Sequence, residues 1–255
     1  MAFAAGAGLD AYADVYADSR KWLNEGWVDY LSPQLYWPIQ PAKQSYTALH
    51  DWWHDQNSKG RHLWPANAVS RISDARPPHP VNEVLAQIAA TRRGRASSGN
   101  IFFSMEAFSK NRDGINGALK AGPYAEPALV PATPWLGGTP PSKPSLALTS
   151  INERGDLKAR WGAQGGTPAF LWAVYSQRGD GWEAAVLPGN VDQHTLPAAE
   201  ARPPVSTVAV SAVDRLGNES PARFRTSRSP GEAERPVRKT GPQRTRPPHS
   251  HVKES

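Results

Sequence analysis

The chain has 255 residues, with 10 tryptophans, 25 prolines and no cysteine, and this length allows one or two domains with a substantial hydrophobic core. The absence of cysteine excludes disulfides, thiolate zinc sites and iron–sulfur clusters. The net charge is +6, but residues 227–255 hold seven basic and three acidic residues, so the rest of the chain carries only +2. Because the charge is chiefly a property of the tail, we do not expect nucleic acid as a partner.

The sequence shows no membrane or targeting segment. No run of about 18 apolar residues occurs, which is the length that a membrane-spanning helix needs. The first ten residues lack the basic region and the long apolar core of a signal peptide. We therefore expect no membrane span, and the chain as written is expected to remain in the cytoplasm.

Residues 1–126 predict an α/β domain in which helices and strands alternate. Such alternation indicates parallel strands joined by right-handed crossover helices. Three parallel strands alone leave faces and edges that need covering. The predicted helices cover about 10–26, 45–56, 81–93 and 113–120, and the predicted strands cover 28–37, 61–64 and 101–103.

Residues 127–144 contain six prolines and a Gly-Gly pair, which indicates a linker or an extended strap pinned by Trp135. Residues 145–226 then predict an all-β domain, because short segments with a hydrophobic period of two alternate with Gly, Pro and Asn turns. Six or seven such strands in about 80 residues are typical of a β-sandwich. The tail, residues 227–255, has five prolines and no aromatic residue, so we expect it to be disordered.

The all-β part resembles a fibronectin type III domain. Trp161 lies where that family has a core tryptophan in its second strand, and Tyr175 lies at the aromatic position of the third strand. Residues 210–220 match the penultimate strand and the turn after it, where Asp214 and Asn218 can bond their own backbone. This resemblance implies a fold and no particular ligand.

The first part resembles the C-terminal portion of the glycosyl hydrolase-like family 10. Four separate segments carry the resemblance in the family's order: residues 16–37, 59–65, 99–105 and 122–135. The resemblance implies a (β/α)8 barrel that is exported to the bacterial envelope and hydrolyses glycan of the peptidoglycan type. This chain would hold about the last three βα units and would need the N-terminal barrel half to complete it. The family's paired aspartates have no counterpart here, so the chain alone is expected to be inactive.

Substrate contacts are expected where the three strands end, because active sites of such barrels lie at the C-terminal ends of the strands. Aromatic faces stack on sugar rings, and amide side chains bond sugar hydroxyls. The alternative is that Trp37 and Trp64 only close the top of the barrel. The candidate substrate-binding residues are Gln34, Tyr36, Trp37, Trp64, Asn67, Ser104 and Met105.

The sequence does not supply the two carboxylates that glycoside hydrolysis usually requires. Glu106 is the one acid that follows a predicted strand end, and it is a weak catalytic candidate beside the alternative of a solvated loop acid. His50 and His54 have the spacing of a zinc helix, but no third ligand is evident, so we expect no metal and no cofactor. A non-catalytic carbohydrate-binding or envelope scaffold protein is the alternative function.

Overall fold

The computed structural model describes residues 11–40, 45–73, 79–93, 99–198 and 201–227. The predicted disorder of the tail falls on residues 228–255, which lie outside the described residues. None of the described helices has the length and hydropathy needed to cross a bilayer. The elements of the first half are α1 (Ala11–Val15), α2 (Ser19–Glu25), β1 (Tyr30–Leu31), α3 (Tyr46–Gln56), β2 (His62–Leu63), β3 (Ala66–Asn67), α4 (Val81–Arg93), β4 (Ile101–Phe102), α5 (Met105–Ser109) and α6 (Ile115–Ala121).

The strands of the first half are parallel, as predicted. Strand β1 pairs with β2, and β3 pairs with β4. An isolated parallel bridge between Gln34 and Ala66 links the two pairs. Helix α3 lies between β1 and β2, and helix α4 lies between β3 and β4, so a helix connects the two strands of each parallel pair. The closed barrel stays a prediction.

The predicted helix over residues 10–26 is wrong as a single element. Tyr16 has a φ of 56° and interrupts it, and Asp18 begins α2 by accepting a hydrogen bond from the Lys21 N–H at 2.9 Å. Gly26 ends α2 in the left-handed conformation. A Cβ at Gly26 would lie 2.7 Å from Arg61 Nη2, the end of a flexible side chain that can shift, so glycine is needed there for its φ.

Two apolar clusters hold the first half together. Leu35 of the loop after β1 packs with Tyr46 and Leu49 of α3. The second cluster lies between α4, α6 and the segments beside them, and its fully buried members include Val69, Ile72, Ile88 and Ile115. Both clusters lie on the helix side of the parallel strands, so the helices cover one face of this sheet.

The second half is a sandwich of two antiparallel sheets, in agreement with the predicted all-β domain. One sheet has the order β11-β10-β7-β8 and the other has the order β5-β6-β9. Trp161 and Trp172 lie in the shared core between the sheets with Val208 and Val210. The sandwich has seven strands, in agreement with the predicted six or seven. The strands are β5 (Ser145–Ser150), β6 (Leu157–Gly162), β7 (Leu171–Arg178), β8 (Gly181–Pro188), β9 (Gln193–Leu196), β10 (Val205–Val213) and β11 (Arg223–Thr226).

The proline-rich strap contacts both halves. On the sandwich side, the Thr133 N–H and hydroxyl both donate to the Leu216 carbonyl. On the βα side, Trp135 Nε1 donates to Asp29 Oδ1 at 2.7 Å. The Trp135 ring also lies 4.6 Å from the Arg61 guanidinium and 4.8 Å from the His62 ring. Trp135 therefore binds the N-terminal ends of β1 and β2, as its predicted pinning role requires.

Candidate functional site

The parallel strands present aromatic side chains on the face that points away from the helices. Side chains alternate between the two faces of a strand. Tyr30 pairs with His62 across β1 and β2, so both side chains point to one face. Leu63, the next residue of β2, is buried on the other face, which is the helix side. Three of these side chains are exposed: Tyr30 by 49%, Ile101 by 37% and Phe103 by 55%. We call this surface the open aromatic face, and it consists of Tyr30, Gln34, Tyr36, His62, Trp64, Ile101 and Phe103.

Trp64 lies at the centre of a stack on this face. Its ring centroid is 4.7 Å from that of Tyr30 and 5.2 Å from that of His62, and both pairs are stacked. Aromatic pairs at such distances are favourable beyond their burial, so the three rings hold one another in place. Trp64 comes directly after Leu63, the last residue of β2, and lies two positions before Ala66, the first residue of β3.

Tyr36 and Phe103 lie where the outer strands end. Their ring centroids are 6.1 Å apart, which brings the predicted residues Tyr36, Ser104 and Met105 to one end of the sheet. Met105 is 75% exposed. Burial raises the pKa of the Tyr36 phenol, although the charge of Arg71 acts in the opposite direction, so this phenol is neutral near pH 7 and can donate a hydrogen bond to a ligand.

Trp37 and Asn67 point to the helix side and do not join the open aromatic face. The Trp37 ring packs against the cluster that contains Leu35 and Tyr46. Asn67 is fully buried. The rim position predicted for these two side chains is therefore not where the structure puts them, because odd and even positions of a strand face opposite sides.

Asn67 belongs to a buried hydrogen-bond network between the strands and α4. Its amide nitrogen donates to Gln87 Oε1 at 2.8 Å, and its amide oxygen accepts from Asn100 Nδ2 at 2.8 Å. Asn100 also donates to the hydroxyls of Tyr46 and Thr91, which are 2.6 Å apart. Buried polar groups need such partners, so the geometry indicates a structural role.

Glu106 is fixed by two cations. Its Oε1 lies 2.6 Å from Lys110 Nζ and 3.2 Å from Arg112 Nη2. The hydrogen bond and charge of Lys110, followed by the charge of Arg112, hold the pKa of Glu106 below its usual value. A general acid needs a raised pKa to keep its proton near pH 7, so Glu106 does not have the properties of a glycosidase acid.

Other carboxylates near the strands have structural partners. Asp29 accepts from Trp135 at the N-terminal end of β1. Glu83 Oε1 accepts from the Ile39 N–H at 2.8 Å and from Gln87 Nε2 at 3.0 Å. In the part of the chain that the structure describes, no group of His, Asp and Glu side chains is arranged to hold a metal ion.

Sequence comparisons place the chain beside known glycosyl hydrolases. Residues 4–75 match the family model Glycosyl hydrolase-like 10. Glycosyl hydrolase YngK of Bacillus subtilis (strain 168) is 33% identical over 231 residues, which cover 87% of this chain and 45% of that protein. Glycosyl hydrolase DigH of Escherichia coli (strain K12) is 44% identical over 48 residues, which cover 19% of this chain and 11% of that protein. The chain thus spans less than half the length of these relatives.

Solved structures of FN3 domains are also similar to part of the chain. The match with the FN3 domain of human collagen XX covers 39% of this chain and 100% of that domain, at a TM-score of 0.29 and 18% identity. The FN3tt structure covers 35% of this chain with 95% of its length, at a TM-score of 0.28 and 20% identity.

The matches to YngK and DigH support a glycosidase-related protein. The resemblance to the glycosyl hydrolase-like 10 family found in the sequence is confirmed by the family model over residues 4–75 and by the match with YngK. The match with YngK extends well beyond the residues that the family model covers.

Sequence reasoning missed Tyr30, His62 and Phe103 as members of the open aromatic face. A signal was present, because His62 lies two positions before Trp64 and residues two apart on a strand share a face. Nothing in the sequence pointed to Arg71, whose Nη1 donates to the Tyr36 carbonyl at 2.8 Å and fixes the end of the first strand.

Proposed function

We propose that this chain forms one wall of the glycan-binding cleft of a (β/α)8 glycosidase-related protein that acts on bacterial envelope glycan of the peptidoglycan type. The observation that carries the proposal is the pair of Tyr36 and Phe103, whose ring centroids are 6.1 Å apart beyond the ends of β1 and β4, where barrels of this type have their sites. Phe103 is exposed there, and an exposed aromatic ring suits the apolar face of a sugar ring. Gln34, Ser104 and the Tyr36 phenol supply hydrogen-bonding groups at the end of the same strands.

In this proposal, the catalytic carboxylates come from outside the chain. A retaining mechanism needs two carboxyl groups about 5 Å apart, and an inverting one needs them about 6.5–9.5 Å apart. Glu106 is ion-paired with Lys110 and Arg112, and Asp29 and Glu83 are bonded to other parts of the fold. The chain by itself is therefore expected to bind glycan and not to hydrolyse it.

Retention on insoluble peptidoglycan strands stripped of their peptides tests the binding part of this proposal. We expect the full chain to be retained and Tyr36→Ala and Trp64→Ala to lose most of the retention. Trp182→Ala is the matched control, because Trp182 is 40% exposed on the sandwich. Equal retention of all four proteins would refute the proposed cleft wall.

Release of soluble oligosaccharides from the same strands tests the catalytic part. We expect the chain alone to release no oligosaccharides. Release of oligosaccharides that Glu106→Gln abolishes would overturn the assignment of the catalytic carboxylates to the remainder of the barrel.

A non-catalytic carbohydrate-binding protein is the second candidate, and the ion-paired state of Glu106 favours it. For that candidate, adding the part of YngK that this chain does not match would produce no hydrolysis, whereas the cleft-wall proposal expects hydrolysis.

A further inference from the structure

A groove on the sandwich collects positive charge at the seam between the two sheets. It has a volume of about 380 Å³ and is lined by the first residues of β5, the end of β6 and strand β11. Arg160, Arg223 and Arg225 line it, and no lining residue is acidic. We call it the arginine groove.

The register of the strands places the three arginines on both sides of β5. Arg160 on β6 pairs with Ala147 of β5. Arg223 and Arg225 pair with Val210 and Val208 of β10, so they share one face of β11 and are about 7 Å apart along it. Strand β11 in turn packs beside β5. The groove therefore runs along β5 with guanidinium groups on either side.

The positive charge of the groove is not a consequence of a basic domain. Residues 145–227 contain eight basic and eight acidic residues, so the sandwich has no net charge. Among the described residues, none of the three groove arginines forms an ion pair with a carboxylate. Their bonds go to neutral acceptors: Arg160 Nε donates to Gln193 Oε1 at 3.2 Å, and Arg223 Nε donates to the Pro144 carbonyl at 3.2 Å.

We propose that the arginine groove binds the carboxylate groups of an acidic glycan chain. A guanidinium has five N–H donors in a planar fork that matches a carboxylate, and each groove arginine has donors left after the bonds above. The groove is open to solvent beside Ser145–Ala147 of β5, so a polymer chain can lie in it. The choice of a glycan rests on the proposed function, in which the other half of the same chain contacts glycan.

Binding of the full chain to hyaluronate, a glycan with regularly spaced carboxylates, tests the proposal without peptidoglycan. We expect Arg160→Gln/Arg225→Gln to bind about tenfold more weakly, because two charge-assisted contacts are lost. Lys59→Gln/Arg154→Gln is the matched control, since it removes the same charge from exposed positions outside the groove. The affinity of the wild type should also fall with added salt.

A second arm uses peptide-free peptidoglycan strands, either native or with their carboxyl groups converted to amides. The arginine groove predicts tighter binding of the native strands and loss of that preference in Arg160→Gln/Arg225→Gln. If the double variant and the control bind hyaluronate equally, the proposal is wrong. The groove arginines would then serve only to protect a sheet edge from pairing with another chain.

The two proposals can fail separately. Hyaluronate binding that depends on the groove arginines, combined with no binding of peptidoglycan strands by the wild type, would support the groove and refute the peptidoglycan assignment. Retention on peptidoglycan strands could instead be lost in Trp64→Ala and be the same in Arg160→Gln/Arg225→Gln and the control. That result would refute the groove and support the cleft wall. Thermal unfolding of each variant confirms that binding is compared between folded proteins.

Discussion

At the scale of single residues, Asn67 and Gln34 show that polar side chains on two neighbouring strands can have different roles. The Asn67 amide is fully buried between Gln87 and Asn100. Gln34 is exposed on the open aromatic face, although its backbone pairs with Ala66. The sequence suggested substrate contact for both, and burial separates them.

Asn67→Ala is expected to lower the free energy of unfolding by about 1–3 kcal/mol, because Gln87 Oε1 and Asn100 Nδ2 then lose a buried partner. Gln34→Ala, at an exposed position, should change it by no more than about 0.5 kcal/mol. Urea unfolding of the two variants measures both values. Equal effects would contradict the structural role of the Asn67 network.

Burial also makes stability depend on pH through histidines. Burial lowers the pKa of His50 from the usual 6.5, against the opposing effect of Asp51, and it also lowers the pKa of His62 and His79. The folded state therefore favours neutral imidazoles, and the unfolded chain takes up protons first as the pH falls. The stabilisation from these groups is complete above the usual pKa of 6.5 and is lost as the pH falls below it toward the folded-state pKa values.

We expect the free energy of unfolding to decrease between about pH 7 and pH 5, and the slope to be smaller in His50→Gln. Chemical denaturation at a series of pH values measures the slope independently of any constant loss of stability in the variant. A variant slope identical to that of the wild type would show that His50 does not contribute.

At the scale of elements, the strap contacts both halves of the molecule. Its Thr133 bonds the Leu216 carbonyl on the sandwich, and two residues later Trp135 contacts Asp29, Arg61 and His62 at the βα half. The element thus fixes each half to the same short segment, so the unfolding of the halves should be coupled through it.

Trp135→Ala is expected to uncouple the two halves, because it removes the hydrogen bond to Asp29 and the contact with the Arg61 guanidinium together. Calorimetry should then resolve two transitions where the wild type has one. Trp135→Phe, which keeps a ring beside Arg61 and lacks the donor, should give an intermediate result. A single unchanged transition in Trp135→Ala would show that other contacts couple the halves.

At the scale of the whole molecule, the two faces of the parallel sheet differ. Helices cover one face with the clusters around Leu35 and Ile88, whereas the other face exposes Tyr30, Ile101 and Phe103. Contiguous exposed apolar surface of this kind promotes association. The proposed remainder of a barrel would cover the part of this face around Tyr30 and Ile101 and leave the strand ends at Tyr36 and Phe103 open.

We expect the full chain to self-associate at high concentration through the open aromatic face. Ile101→Thr/Phe103→Ser should reduce this association with little change in unfolding free energy, because both side chains are exposed. Sedimentation at increasing protein concentration measures it, with Phe224→Ser as the matched control, since Phe224 is 44% exposed on the sandwich. Association that is the same in all three proteins would place the contact elsewhere.

The sequence alone determined the features that depend on local pattern. The period of two predicted β10 over residues 205–213, the helical period predicted α4 over residues 81–93, and Ser45 marked the beginning of α3. The segments that resemble the glycosyl hydrolase-like 10 family were also visible, because they are contiguous residues in a fixed order.

Tertiary structure decided the features that depend on which side of a strand a residue faces and what covers it. Trp37 follows a strand as Tyr36 does, and Asn67 is the last residue of β3, yet the pleat turns both toward α3 and α4, where they pack and form buried hydrogen bonds. The arginine groove could not be predicted either, because Arg160 and Arg225 are 65 positions apart in the chain and only the packing of β5 beside β11 brings them to one groove.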